Sequence, residues 1–125
     1  MSTVLVVDDE SGTRHALMRL LANEGYETVG AGDGREALRA LEAATPDVIL
    51  LDLMMPGMDG IELLEALQRH PDFNALPVVV LTALSDTHTV NRARQLGAKA
   101  YLVKASFSVA EMLDHVKQYS GASHA

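Results

Sequence analysis

Residues 48–52 read Val48-Ile49-Leu50-Leu51-Asp52, four apolar residues without polar alternation, closed by an acid. The run has the length of a strand, and its lack of alternation is what a strand covered on both faces shows. Working outward, Val4 to Val7, Thr28 to Gly30, Val78 to Leu81 and Ala100 to Val103 are further short apolar runs. Segments with helical period lie between them. Leu17, Leu20 and Leu21 share a face, as do Leu38 and Leu41, Leu64 and Leu67, and Met112, Leu113 and Val116. Asp33 with Glu36, Asp59 with Glu62, and Ser108 with Glu111 have capping-box spacing, and Gly25 and Gly97 stand where left-handed C-terminal caps fall. The fourth helical segment, around Val90, Ala93 and Leu96, has the weakest apolar stripe and is expected to be the least firmly packed. Strand followed by helix, five times over, with right-handed crossovers, predicts a doubly wound α/β domain. Its five-stranded parallel sheet is flanked by five helices on both faces. Residues 1–120 are expected to form the domain and 121–125 a tail or the start of a linker.

Composition narrows the function classes. The chain has 125 residues, enough for one domain, and its 48% apolar against 22% charged residues suit a globular core. With 0 Cys, disulfide frameworks, thiolate zinc sites and cysteine nucleophiles are excluded, which suits a reducing compartment. Ten Lys plus Arg against 17 Asp plus Glu give a net charge of −7. That balance, with no basic stripe, argues against direct binding of nucleic acid, whose backbone is held mainly by clustered cations. The first residues lack a basic n-region and a long apolar stretch, and no apolar run reaches the ~18 residues of a membrane helix. No membrane contact and a cytoplasmic location are expected.

In a parallel sheet every strand ends at one edge, so polar residues just after strands meet in space. The first strand ends in Asp8-Asp9, the third in Asp52, the fourth in Thr82 and the fifth in Lys104; the second, ending in Gly30-Ala31-Gly32, offers no such group. Carboxylates a few Å apart repel by about 4 kcal/mol per pair at an effective dielectric of 20. A divalent cation resolves that conflict, and oxygen-only ligands suit Mg²⁺ or Mn²⁺ better than zinc. Lys104 adds an ammonium suited to a phosphate oxygen, and Thr82 a hydroxyl that both donates and accepts. Metal, lysine and hydroxyl around one carboxylate make a phosphoryl site with that carboxylate as nucleophile. Asp52, on the central strand, is the choice. Any one acid at a strand end could merely solvate the edge or cap the next helix; five groups arriving together argue otherwise.

These residues resemble a family. Asp8-Asp9, the stretch from Asp52 through Met54-Met55-Pro56-Gly57 to Asp59-Gly60, Thr82-Ala83, and Tyr101-Leu102-Val103-Lys104 are similar to the receiver domain of two-component response regulators, in the right order over essentially the whole chain. The resemblance implies the flavodoxin-like receiver fold and a phosphorylation-activated switch in a single-domain, chemotaxis-regulator-like chain. Asp52 would accept a phosphoryl group from a sensor histidine kinase or phosphotransfer protein. Asp9 and Asp52 would bind Mg²⁺ (or Mn²⁺) with the backbone carbonyl of Met54, Asp8 holding it mainly through water. Thr82, Ala83 and Lys104 would bind the phosphoryl group, and Tyr101 would swing inward as Thr82 moves. The surface near the fourth helix and fifth strand would change to control a downstream protein. The chain would be no enzyme in its own right, catalysing only its own phosphorylation and dephosphorylation.

Some positions depart from the family pattern. Its lysine is usually followed by a cis proline and an aromatic residue, whereas here the run is Lys104-Ala105-Ser106-Phe107. A cis bond before alanine costs about 2.5 to 4 kcal/mol, so a trans bond and a rearranged loop are expected. Met54 and Leu84 occupy positions that tune phosphoryl lifetime in the family; bulky and apolar, they are expected to obstruct the hydrolytic water. The transcription-factor branch carries an acidic dimer-forming pair before the fifth strand, where this chain has Ala98-Lys99-Ala100. A monomer is expected, or at most a weak dimer on activation. Gly30-Ala31-Gly32-Asp33-Gly34 fails as a dinucleotide fingerprint because Arg35 stands at the third glycine. The five histidines, at 15, 70, 88, 115 and 124, show no ligand spacing and are expected at the surface, and Met54, Met55 and Met58 are expected to line a loop and nearby core. Two other classes compete. An aspartyl phosphatase would place its two acids two residues apart after the first strand, where here they adjoin; a receiver-like binding module that is not phosphorylated would have no need of Asp9, Asp52, Thr82 and Lys104.

Overall fold

A computed structural model describes residues 2–121. Strands β1 (Thr3–Val7), β2 (Glu27–Ala31), β3 (Val48–Leu51), β4 (Val78–Thr82) and β5 (Ala98–Val103) form one parallel sheet in the order β2-β1-β3-β4-β5. Helices α1 (Ser11–Asn23), α2 (Gly34–Ala43), α3 (Gly60–Arg69), α4 (Thr87–Gln95) and α5 (Val109–Tyr119) alternate with them. This is the flavodoxin-like receiver topology, with β3 central and the strand order reversing between β1 and β3. The predicted fifth strand, Ala100 to Val103, began too late: Ala98 and Lys99 also belong to β5.

The period of two along each strand divides the core. Leu5, Val7, Ile49, Leu51, Val78 and Val80 face α2, α3 and α4, meeting Leu41, Leu63, Leu64, Leu67 and Ala93. Val4, Val6, Val48, Leu50, Val79 and Leu81 face α1 and α5, meeting Leu17, Leu21, Met112 and Val116. Burying a large apolar side chain contributes about 1.5–3 kcal/mol, so β1, β3 and β4, buried along all or nearly all of their length, anchor the sheet. In α4 only Ala93 is buried. Polar ties help to hold this helix instead: Arg92 pairs with Glu65 at 2.8 Å, and the Gln68 amide donates to the Leu96 carbonyl at 2.9 Å. The expectation of a lightly packed fourth helix agrees with this.

The caps follow the spacing, but only one of the three expected boxes closes with both bonds. Asp59 and Glu62 form the full capping box of α3, and Ser108 accepts from the Glu111 amide at the start of α5. At α2, Asp33 accepts from the Glu36 amide, but the Glu36 carboxylate turns to the Gly32 amide at 2.6 Å. Gly25 and Gly97 follow the C-caps of α1 and α4 with φ of 95° and 98°, a region that costs a side chain strain. The pairing of β4 with β5 carries a one-residue bulge: Val78 faces Ala98, Val79 faces Ala100, and Lys99 is extra. Among the described residues no peptide bond is cis, so Lys104–Ala105 is trans as predicted.

Candidate functional site

Three of the strand-end groups are held by one backbone bond just beyond their strands. The Asp8 amide donates to Ala31, the Asp52 amide to Val7 and the Lys104 amide to Thr82, at 3.0, 2.9 and 2.8 Å. The sheet ladder thus extends one residue past the core and carries Asp8, Asp52 and Lys104 in register to the edge.

Asp52, 5% exposed, lies at the centre. Its Oδ1 accepts from the Thr82 hydroxyl at 2.7 Å and the Met54 amide at 3.0 Å, and its Oδ2 accepts from Lys104 Nζ at 2.8 Å. Lys104 also donates to Asp8 Oδ2 at 2.8 Å, and Asp8 Oδ1 accepts from the Glu10 amide at 3.0 Å. Burial alone would lower the Lys104 pKa, but its hydrogen bonds to Asp52 and Asp8, with their charges, raise it above the ordinary lysine value. Lys104 is therefore a standing counter-charge between two buried acids. The Ala105 that replaces the usual proline has not turned it away.

Asp8, Asp9 and Asp52 each bring a carboxylate oxygen to within 4.8 Å of the others. Two of the acids are buried and Asp9 is exposed. Three oxygen donors, one open to water, fit a hard divalent cation that keeps part of its hydration shell. The side chain of Met54 is half exposed, and with Leu84, Asp9, Met55 and Asp59 it lines an open cleft of about 490 Å³ beside the acids. Met55 is buried and Met58 packs against the core, as expected.

Ala83 follows Thr82 in the chain, and Tyr101 pairs with Val80 two residues before it. The Tyr101 hydroxyl donates to the Leu84 carbonyl at 2.8 Å, tying β5 to the β4–α4 loop, while Ala83 is exposed in that loop. Burial, reinforced by the charges of Asp86 and Asp52, raises the tyrosine pKa. Two contributors escaped the sequence reading. Glu10 is the N-cap of α1, accepting from the Gly12 and Thr13 amides and the Thr13 hydroxyl; those bonds, the hydroxyl's foremost, hold its carboxyl at about 2 against an ordinary 4.5. Glutamate is not a favoured cap, so no pattern announced it. Arg14 donates from Nη1 to the Asp8 carbonyl at 2.7 Å, a contact to which the glycines opposite it were the available signal.

Among the histidines, 15 and 88 are exposed as expected, while His70 is half-buried, stacked on Phe73 with centroids 4.1 Å apart. His115 departs from the expectation: it is half-buried in α5 and its Nδ1 is shut off from water with no hydrogen-bond partner among the described residues. His124, like most of the predicted tail, lies outside the described residues.

A doubly wound sheet whose reversal point gathers three acids, with a hydroxyl and a lysine closing on the central one, defines the receiver class of α/β domains. The chain belongs to the response regulator receiver domain family, whose model matches residues 4–117. It is 43% identical over 115 residues to the transcriptional regulatory protein PdtaR of Mycobacterium tuberculosis, an alignment covering 91% of this chain and 54% of PdtaR. The chain thus spans about half the length of that relative. Among solved structures, chemotaxis protein CheY4 of Vibrio cholerae superposes with a TM-score of 0.87 at 33% identity, covering 95% of this chain and 98% of the other. The Mn²⁺-bound form of response regulator Rcp1 superposes with a TM-score of 0.80 at 27% identity, covering 97% and 93%. Receiver domains bind a divalent metal and serve two-component systems as phosphorylation-regulated signalling switches, phosphorylated by histidine kinases or phosphotransfer proteins and acting on downstream targets. No helix among the described residues is long and apolar enough to cross a membrane.

Proposed function

We propose that Asp52 is the phosphoacceptor of a switch loaded by a sensor histidine kinase or a phosphotransfer protein. An Asp52 carboxylate oxygen attacks the phosphorus, the bond from phosphorus to the donor histidine nitrogen breaks, and the imidazole leaves with that electron pair. Asp8, Asp9, Asp52 and the Met54 carbonyl are the residues that would hold Mg²⁺, and the Mn²⁺-bound form of Rcp1 supports a metal of this type. When bound, the cation neutralises the crowded acids and the charge on the phosphoryl oxygens. Thr82 and Lys104, which cap the two oxygens of Asp52 in the resting chain, turn to the phosphoryl oxygens, and the Ala83 amide adds a third donor. The observation that carries the reading is this capped, buried carboxylate: a hydroxyl and an ammonium stand at 2.7 and 2.8 Å from its two oxygens.

The energetics define what the switch requires. Reversing a 1:99 population takes about 5.5 kcal/mol, whereas one charge-assisted hydrogen bond supplies about 1.5–3. Thr82 and Lys104 therefore act together, Tyr101 following as the β4–α4 loop shifts, and a downstream protein that prefers the altered α4–β5 surface completes the bias. The chemistry is confined to the chain's own phosphorylation and dephosphorylation. The reading places it in the cytoplasm as a monomer that contacts proteins rather than nucleic acid or membrane. Incubation with acetyl phosphate and Mg²⁺, followed by intact-mass measurement, tests it. A gain of one phosphoryl group that Asp52→Asn abolishes is expected; no gain in the native chain would leave a binding module instead.

A further inference from the structure

The glycines of the rejected dinucleotide motif have another use. A Cβ built on Gly30 would stand 3.3 Å from Arg14 Cδ and 2.9 Å from Met18 Sδ, and one on Gly32 would stand 3.3 Å from Arg14 Nη1. Two missing side chains at the end of β2 thus open a trough in which the arginine lies. From there its Nη1 reaches the Asp8 carbonyl at 2.7 Å. That carbonyl shares a rigid plane with the Asp9 amide, so fixing it fixes the direction in which the chain enters Asp9. Asp8 has further restraints in Glu10 and Lys104. Asp9 is exposed, and its carboxylate makes no hydrogen bond or ion pair among the described residues, so its aim depends on its backbone.

We propose that Arg14 is a positioning residue for the metal site: through the Asp8 carbonyl it locks the 8–9 peptide and thereby aims Asp9 at the ion. The proposal rests on the functional reading above, and it makes a prediction opposite in sign to simple charge. Arg14 is a cation close to a cation site, so removing its charge alone would tighten metal binding. Losing an outer support of a metal ligand weakens binding, typically by about 10-fold or more.

Mg²⁺ binding to the full chain is measured by titration calorimetry for the native protein, Arg14→Met and Arg14→Lys, well below their unfolding midpoints. Arg14→Met is expected to raise the Kd by about 10-fold, Arg14→Lys to recover part of the loss, and the phosphorylation rate of Arg14→Met to return towards the native value at high Mg²⁺. Gly30→Ala, which keeps the charge but crowds the trough, is expected to weaken binding in the same direction. A Kd for Arg14→Met that is unchanged or tighter overturns the proposal, even if the midpoint falls, because that pattern belongs to a structural or purely Coulombic role. Failure of the underlying reading is separate: it appears in the native protein as no Mg²⁺ binding or no phosphoryl uptake, before any variant is compared.

Discussion

At Asp52 two kinds of information meet. The closing acid of an apolar run was readable because a parallel sheet sends every strand end to one edge, and Asp8, Asp9, Thr82 and Lys104 were readable for the same reason. Contacts that cross the fold without a periodic pattern were not readable. Arg14 is one arginine on a helix, and its role emerges only when β2 is laid beside it. His115 likewise looked like any polar helix position, yet its Nδ1 is buried without a partner among the described residues, a situation that costs about 1–3 kcal/mol. Met54 and Leu84 line the cleft beside the acids, and in the proposed reading they would cover the approach of water to a phosphoryl group on Asp52. Replacing them together, as Met54→Asn with Leu84→Glu, is expected to shorten the life of the phosphorylated form several-fold. Loss of the added mass would be followed over time after removal of the phosphoryl donor; decay that is unchanged or slower would show that the two side chains only cover the rim.

At the scale of elements, β1, β3 and β4 follow directly from their apolar runs because both faces are buried. β2 and β5 are edge strands, and their extra residues Glu27, Ala31 and Ala98 are set by pairing rather than by hydrophobicity, with Lys99 carried in as the bulge. α4 is the element in which side-chain chemistry outweighs packing. Its N-cap, Asp86, accepts from the Thr89 amide and hydroxyl, and these bonds lower its pKa from the ordinary 3.8. A depressed folded-state value means that the cap's contribution is present above pH 3.8 and is lost as pH falls through the lower folded value. The amides of α4 are therefore expected to lose hydrogen-exchange protection early on acidification, ahead of those in β3. Asp86→Asn keeps a cap but removes the titration, so α4 in that variant should fray with much less dependence on pH. Equal acid sensitivity in the two proteins would assign the fraying to another group.

At the scale of the whole molecule, the two sides of the sheet are unequal. The side bearing α2, α3 and α4 holds the loosely packed helix and Tyr101, and the side bearing α1 and α5 carries the helix whose first turn supports the acids. With no acidic pair at Ala98 to Ala100, sedimentation velocity is expected to show a monomer with and without a phosphoryl donor, with at most slight association on loading. A stable dimer that forms only on loading would mean that other contacts across α4, β5 and α5 suffice. Finally, the bulge at Lys99 fixes a parity. Ala98 and Tyr101 lie on one side of the sheet, and Ala100 and Leu102 on the other, an arrangement that simple alternation forbids and one spare residue permits. Deleting Lys99 would therefore remove the bulge and restore simple alternation, with Ala98 still on the side of Tyr101, Ala100 on the side of Leu102, and the pairing with Val78 to Thr82 in register. β5 thus keeps its slack in one place: Lys99 can be lost without moving a neighbour, whereas losing any of Tyr101 to Val103, which pair without a break with Val80 to Thr82, would draw Lys104 one step back from Asp52.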